Sequence, residues 1–251
     1  MSPRRCLTAL ILAFSLSIVG LAPLASGSSG LDARDMEQAV ADVSGERMMS
    51  TIRDLEAFGS RAFYLPSSLD AAAYIYDRLE QLGLYVTYQY FSVQDFAAVN
   101  VVATLNGTSE GAPQYLFGAH FDSENMFADT YSEGENYSAP GADDDASGVA
   151  AVIELATLMA GMEFENTVKF VAFDAEEYGF DQIGGLKGSA HFASVEKAAK
   201  ARYAGTAILD MIGWKQGSDN VAFGIVNVDN DRMAMATEDS VERFGIDLTF
   251  T

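Results

Sequence analysis

The sequence predicts an α/β protein: a three-layer sandwich with a mixed, mainly parallel central sheet and helices on both faces. Three observations carry this. The short, mostly apolar runs at 115–119, 168–173 and 206–209 have the length and composition of central strands buried on both sides. Between the first two, Val149, Val152, Ile153 and Ala156 recur at helical spacing and give a crossover helix. The chain has 251 residues, 49% apolar and 20% charged, which is a globular composition with enough length for one sizeable domain.

Residues 1–30 stand apart from that domain. Met1 to Arg5 is short and basic, Leu7 to Leu24 is almost wholly apolar, and Ala25-Ser26-Gly27 offers small residues for cleavage. This reads as a secretory signal peptide, with an uncleaved membrane anchor as the alternative and Arg4-Arg5 admitting twin-arginine export. The expected mature domain is therefore 31–251, outside the cytoplasm and off the membrane once cleaved. The single cysteine, Cys6, leaves with the signal, and disulfide, thiolate-zinc and cysteine-nucleophile chemistry leave with it.

The elements follow in order. Residues 44–59 form a helix with a Ser44 cap, Met48, Ile52 and Leu55 on one face and Gly59 at its end. Ser67-Ser68-Leu69-Asp70 starts a second helix, with Ile75, Leu79 and Leu82 inward and Gly83 as its stop. Residues 85–91 alternate, Val86, Tyr88 and Tyr90 against Thr87 and Gln89, as a half-buried strand does. Residues 99–105 are a second strand. Residues 122–140 are the longest loop, and His191 falls on a helix after Gly188-Ser189. Asn106-Gly107-Thr108 and Asn136-Tyr137-Ser138 match glycan acceptors.

The net charge of −21, from 15 basic and 36 acidic residues, opposes contact with phosphate backbones and anionic membranes. Nucleic acid is excluded as a partner. An acid-rich, Lys-poor exported chain also fits adaptation to high salt.

In open α/β sheets ligands gather beyond the carboxyl ends of the strands. Here those ends deliver His120 and Asp122, then Asp174, Glu176 and Glu177, then Asp210, while Asp143-Asp144-Asp145 precedes the crossover helix. Singly each has an ordinary reading: a hydrogen-bonded core histidine, solvated helix-start acids, a helix cap. Asp210 is the exception, because a carboxylate closing an apolar strand is costly to bury unpaired. Together, so many carboxylates on one sheet edge would repel unless a cation neutralised them. One imidazole with carboxylate oxygens and no thiolate suits zinc first and manganese or cobalt second.

Four motifs resemble the zinc aminopeptidases of the M28 type, relatives of glutaminyl cyclases and glutamate carboxypeptidases. They are Gly118-Ala119-His120-Phe121-Asp122-Ser123, Ala139-Pro140-Gly141-Ala142-Asp143-Asp144-Asp145-Ala146-Ser147-Gly148, Phe173-Asp174-Ala175-Glu176-Glu177-Tyr178-Gly179 and Leu209-Asp210-Met211. The resemblance implies His120 and Asp210 on one zinc, Asp144 bridging two zincs and Glu177 on the second. Glu176 would be the general base, Asp122 would hold the far ring nitrogen of His120, and Asp145 would stand behind the bridge. A cis peptide is often found in the family where Asp144 meets Asp145. The implied activity is release of N-terminal residues from peptides with a free amine. Single-zinc glutaminyl cyclisation and an inactive binding module are the alternatives.

Two departures from the family pattern matter. Its closing zinc ligand is a downstream His, whereas the 41 residues after Asp210 contain none, and 246–250 is a strand pattern that breaks off. The expectation is a C-terminally incomplete domain with one tight zinc instead of two, and low activity. Residues 180–184 look inserted, lengthening a loop beside Glu176.

Overall fold

The computed structural model describes residues 33–125, 138–177, 185–214, 221–222 and 232–250. The expected signal segment, the second glycan tripeptide's Asn136 and the inserted residues 180–184 lie outside the described residues.

Helix α1 (Ala33–Asp42), for which no sequence expectation was set, leads into α2 (Gly45–Glu56). Ser44 caps α2 as expected, its hydroxyl accepting from the Arg47 amide at 3.2 Å, and Met48, Ile52 and Leu55 are buried. Helix α3 (Pro66–Glu80) begins one residue earlier than expected and differently. Pro66 takes the first turn, where its missing N–H costs nothing, and no side chain caps the helix. The serine hydroxyls are used elsewhere: Ser67 donates to the Ser60 carbonyl at 2.6 Å and Ser68 to Asp174 at 3.2 Å.

Strands β1 (Tyr85–Val93) and β2 (Phe96–Leu105) form an antiparallel hairpin, each longer than its apolar alternation had indicated. Strands β3 (Gln114–His120), β4 (Val168–Phe173) and β5 (Tyr203–Ile208) complete a five-stranded sheet in the order β1-β2-β4-β3-β5. β4-β3-β5 is parallel, and both pairings on the β1 side are antiparallel. Four strands thus run one way and β2 alone opposes them. β5 starts three residues earlier than its apolar run, because Ala204 and Gly205 carry no bulk that marks a strand.

Helix α4 (Ala146–Met159) is apolar nearly all round and almost wholly buried between the sheet and α2. Its one buried acid, Glu154, accepts from the Ser44 amide at 2.7 Å and from Arg47 Nε at 2.9 Å, which fastens the start of α2 to the middle of α4. Helix α5 (Lys187–Ala198) covers the opposite face, where Phe192 packs with Val102, Leu116, Val171 and Phe173. His191 lies on α5 as expected, stacked on Phe91 at 5.1 Å. β6 (Val221–Ala222), α6 (Arg232–Arg243) and β7 (Thr249–Phe250) follow, so the strand pattern at 246–250 yields only its last two residues. No helix among the described residues is long and apolar enough to cross a membrane.

The parallel register aligns the strand ends that matter. His120 pairs with Phe173, and the Leu209 amide donates to the Gly118 carbonyl at 2.8 Å, so His120, Asp174 and Asp210 leave the sheet along one edge. Gly118 permits this spacing: a Cβ there would sit 2.6 Å from the Phe173 ring and 3.1 Å from Ile208.

A candidate metal centre at the strand ends

His120 is the focus of the site. Its ring is almost fully buried, and Nε2 lies 2.9 Å from Asp144 Oδ1, 3.9 Å from Asp210 Oδ1 and 4.0 Å from Glu176 Oε2. Three carboxylates from three chain segments thus point at one nitrogen. Ligand atoms of His120, Asp145 and Asp210 lie within 4.8 Å of one another, as do those of His120, Glu176 and Glu177. The sequence-derived residues therefore come together, with Asp145 joining the set.

Each ligand-bearing segment is held by side chains behind it. Asp122 is fully buried, and its two carboxylate oxygens accept from the amides of Glu176 and Glu177, each at 3.0 Å. The same Oδ1 stands 3.5 Å from His120 Nδ1, which is nearer the Asp122 carbonyl at 3.2 Å. Asp122 therefore serves the Glu176-Glu177 turn at least as directly as the histidine. Asp145 caps α4, Oδ1 accepting from the Gly148 amide at 2.8 Å, and the peptide between Asp144 and Asp145 is cis.

Asp174, grouped by sequence with the ligand types, turns away from the site. It accepts from the Ser68 hydroxyl and from the amides of Ala175 and Val99, and Asn100 accepts from its own amide at 3.1 Å. These bonds anchor the root of the turn that carries Glu176 and Glu177. Asp210 also differs from expectation: its side chain is 54% exposed, so desolvation is a weaker argument for a cation there than at Asp145 or Asp122.

Arg61 was not singled out by the sequence. It is fully buried, and among the described residues its guanidinium bonds to carbonyls and to no carboxylate. Nε donates to the Phe121 carbonyl at 2.7 Å, Nη1 to the Leu55 and Pro140 carbonyls, and Nη2 to the Gly141 carbonyl at 3.1 Å. One side chain so ties the segment after His120 to the segment before Asp144. A lone arginine among apolar neighbours is the only sequence cue it offers.

The electrostatics are those of crowded acids. Burial, then the charges of Asp144 and Asp122, push Glu177 up to about 7. Burial also raises Glu176, Asp210 and, far more, Asp145. For His120, burial disfavours the charged ring, but bonds to Asp122 and Asp144 outweigh it and push the ring up to about 12. The His120 ring and the buried Arg61 guanidinium are positive charges that these acids face. Asp145 Oδ2 is buried without a hydrogen-bond partner. One imidazole, several carboxylates and an orphaned buried oxygen fit a divalent cation of the zinc type.

The sequence model of Peptidase family M28 matches residues 100–245, more than half of the chain. The chain belongs to Peptidase family M28. The M28 assignment is supported by curated relatives. A probable zinc metalloprotease of Pyrenophora teres f. teres is 31% identical over 74% of this chain and 42% of its own length. Leucine aminopeptidase 1 of Emericella nidulans is 27% identical over 71% of this chain and 46% of its own. The chain thus spans under half the length of these two relatives. Among solved structures, a glutaminyl cyclase of Fimbriiglobus ruber matches at 26% identity with a TM-score of 0.58, over 67% of this chain and 62% of that one. LapB of Legionella pneumophila shares the fold at a TM-score of 0.72 and 20% identity, over 88% of this chain and 58% of that one.

Proposed function

We propose that this M28 chain carries the catalytic part of an exported zinc aminopeptidase. The observation that carries the reading is the Asp122 clamp, which holds Glu176 and Glu177 side by side with the Glu176 carboxylate 4.0 Å from His120 Nε2. His120, Asp144 and Asp210 would hold one zinc, and Glu177 with the shared Asp144 would contribute to a second. When bound, zinc polarises a carbonyl and acidifies a neighbouring water.

Glu176, its proton affinity raised mainly by burial, takes a proton from the water whose oxygen adds to the scissile carbonyl carbon. It then delivers that proton to the departing nitrogen as the C–N bond breaks, leaving the N-terminal amino acid with a new carboxyl group and the shortened peptide with a new amine. Preference for a free N-terminal amine follows from the aminopeptidase relative and the family resemblance. Export follows from the basic and apolar pattern of residues 1–30.

Glu176→Gln and Glu177→Gln variants test the division of roles. With an unblocked peptide and its N-acetylated twin, Glu176→Gln is expected to lose about 10²–10⁴-fold in turnover while retaining zinc. Glu177→Gln is expected to lose metal on its side of the site. Equal loss of zinc in both variants overturns the assignment. Cyclisation of N-terminal glutamine without peptide hydrolysis would instead favour the chemistry of the Fimbriiglobus neighbour.

A further inference from the structure

After Leu209 makes the last sheet bond of β5, the chain leaves the sheet at Asp210 and turns through Met211, which has φ 49°, a left-handed backbone on a residue with a full side chain. The next three amides all face the start of α4. Met211 donates to Asp145 Oδ1 at 3.3 Å, Ile212 to Ser147 Oγ at 3.0 Å and Gly213 to Asp143 Oδ1 at 2.7 Å. Ser147 in turn donates to the Asp143 carbonyl at 2.8 Å, so the acceptors are themselves braced.

Three successive N–H groups pointing one way make a concavity that needs acceptors to fill it. Here the acceptors bracket Asp144, the residue nearest His120 Nε2. The Asp210 side chain is half exposed. Its backbone is fixed by this ladder.

We propose that Asp143 and Ser147 are positioning residues that set the Asp210 carboxylate against Asp144 and His120, and so tune the metal held by those three. The inference rests on the metallopeptidase reading above but assigns roles to side chains that are not ligands in it. Groups that orient ligands from behind typically account for 10–100-fold in metal affinity. The contact is also tight from the other side: a Cβ on Gly213 would lie 2.9 Å from Asp143 Oδ1 and 3.1 Å from the Ser147 Cβ.

Cobalt(II) titration of the full chain, followed by visible absorption, tests this. Asp143→Ala and Gly213→Ala are each expected to weaken cobalt binding by about 10–100-fold and to alter the absorption band, because the ligand geometry changes. Asp143→Asn keeps the acceptor oxygen and is expected to keep both the band and an affinity within a few-fold of wild type. The two disruptive variants approach one hydrogen bond from opposite sides, so misfolding of either leaves the other decisive. Wild-type affinity and spectrum in Asp143→Ala or Gly213→Ala overturn the proposal, as does an Asp143→Asn variant as impaired as the alanine, which would make charge and not positioning the cause. A wild-type chain that takes up no cobalt removes the metallopeptidase reading and this proposal with it, a result distinct from the others.

Discussion

Three buried groups bind protons more tightly in the folded chain, and two of them, Glu177 and His120, belong to the candidate metal site. Burial and neighbouring acids raise Glu177 from 4.5 and Asp174 from 3.8, each to about 7, and His120 rises from 6.5 to about 12 despite its burial. All three bind protons more tightly folded than unfolded, so each stabilises the metal-free fold fully below its unfolded value and loses that contribution as pH climbs through its folded value. Metal-free protein should therefore melt lower at pH 7.5 than at pH 5. With Glu177 and His120 as the proposed ligands, zinc would displace their protons, so the rise in melting temperature on adding zinc should be larger at pH 7.5. Melts in chelator and in zinc at both values check this; an increment equal or greater at pH 5 contradicts it.

Between elements, the connections at the sheet edge depend on side chains bonding to distant backbone. Arg61 reaches carbonyls at the end of α2, after β3 and before α4 with a planar fork. A lysine ammonium, with three donors at one point, cannot serve the same four oxygens. Arg61→Lys should lower stability by about 3 kcal/mol, the order expected when one or two buried carbonyls lose their donors. Urea melts measure it, and a change below about 1 kcal/mol would show that solvent replaces the fork. The strand ends with the acids and the histidine they carry, and helices α2 and α4, are legible because each is a local pattern: an apolar run closed by an acid or a histidine, or apolar residues at helical spacing. At the α3 start the local serine signal points one residue too late, because Pro66 takes the first turn and both serine hydroxyls go to other partners. Apart from the Arg61 bond to Leu55, the Asp122 clamp, the Arg61 fork and the ladder after Asp210 join residues more than fifty positions apart, and no local pattern encodes such pairings.

Across the whole molecule, the excess of 36 acids over 15 bases makes the surface repel itself. Screening at molar salt shortens the reach of that repulsion to about 3 Å. The melting temperature should climb from low to molar sodium chloride, and a flat or falling midpoint rejects the idea. The placement of the site has a kinetic meaning as well. His120 and Asp210 are ninety residues apart in the chain and meet only after the β4 crossover and β5 have joined the sheet. Contacts of such long sequence separation are slow to form. A chain whose β5 has not joined the sheet can bring His120, Glu176 and Glu177 together but not Asp210, so a metal that needs both His120 and Asp210 would bolt the finished structure instead of seeding it.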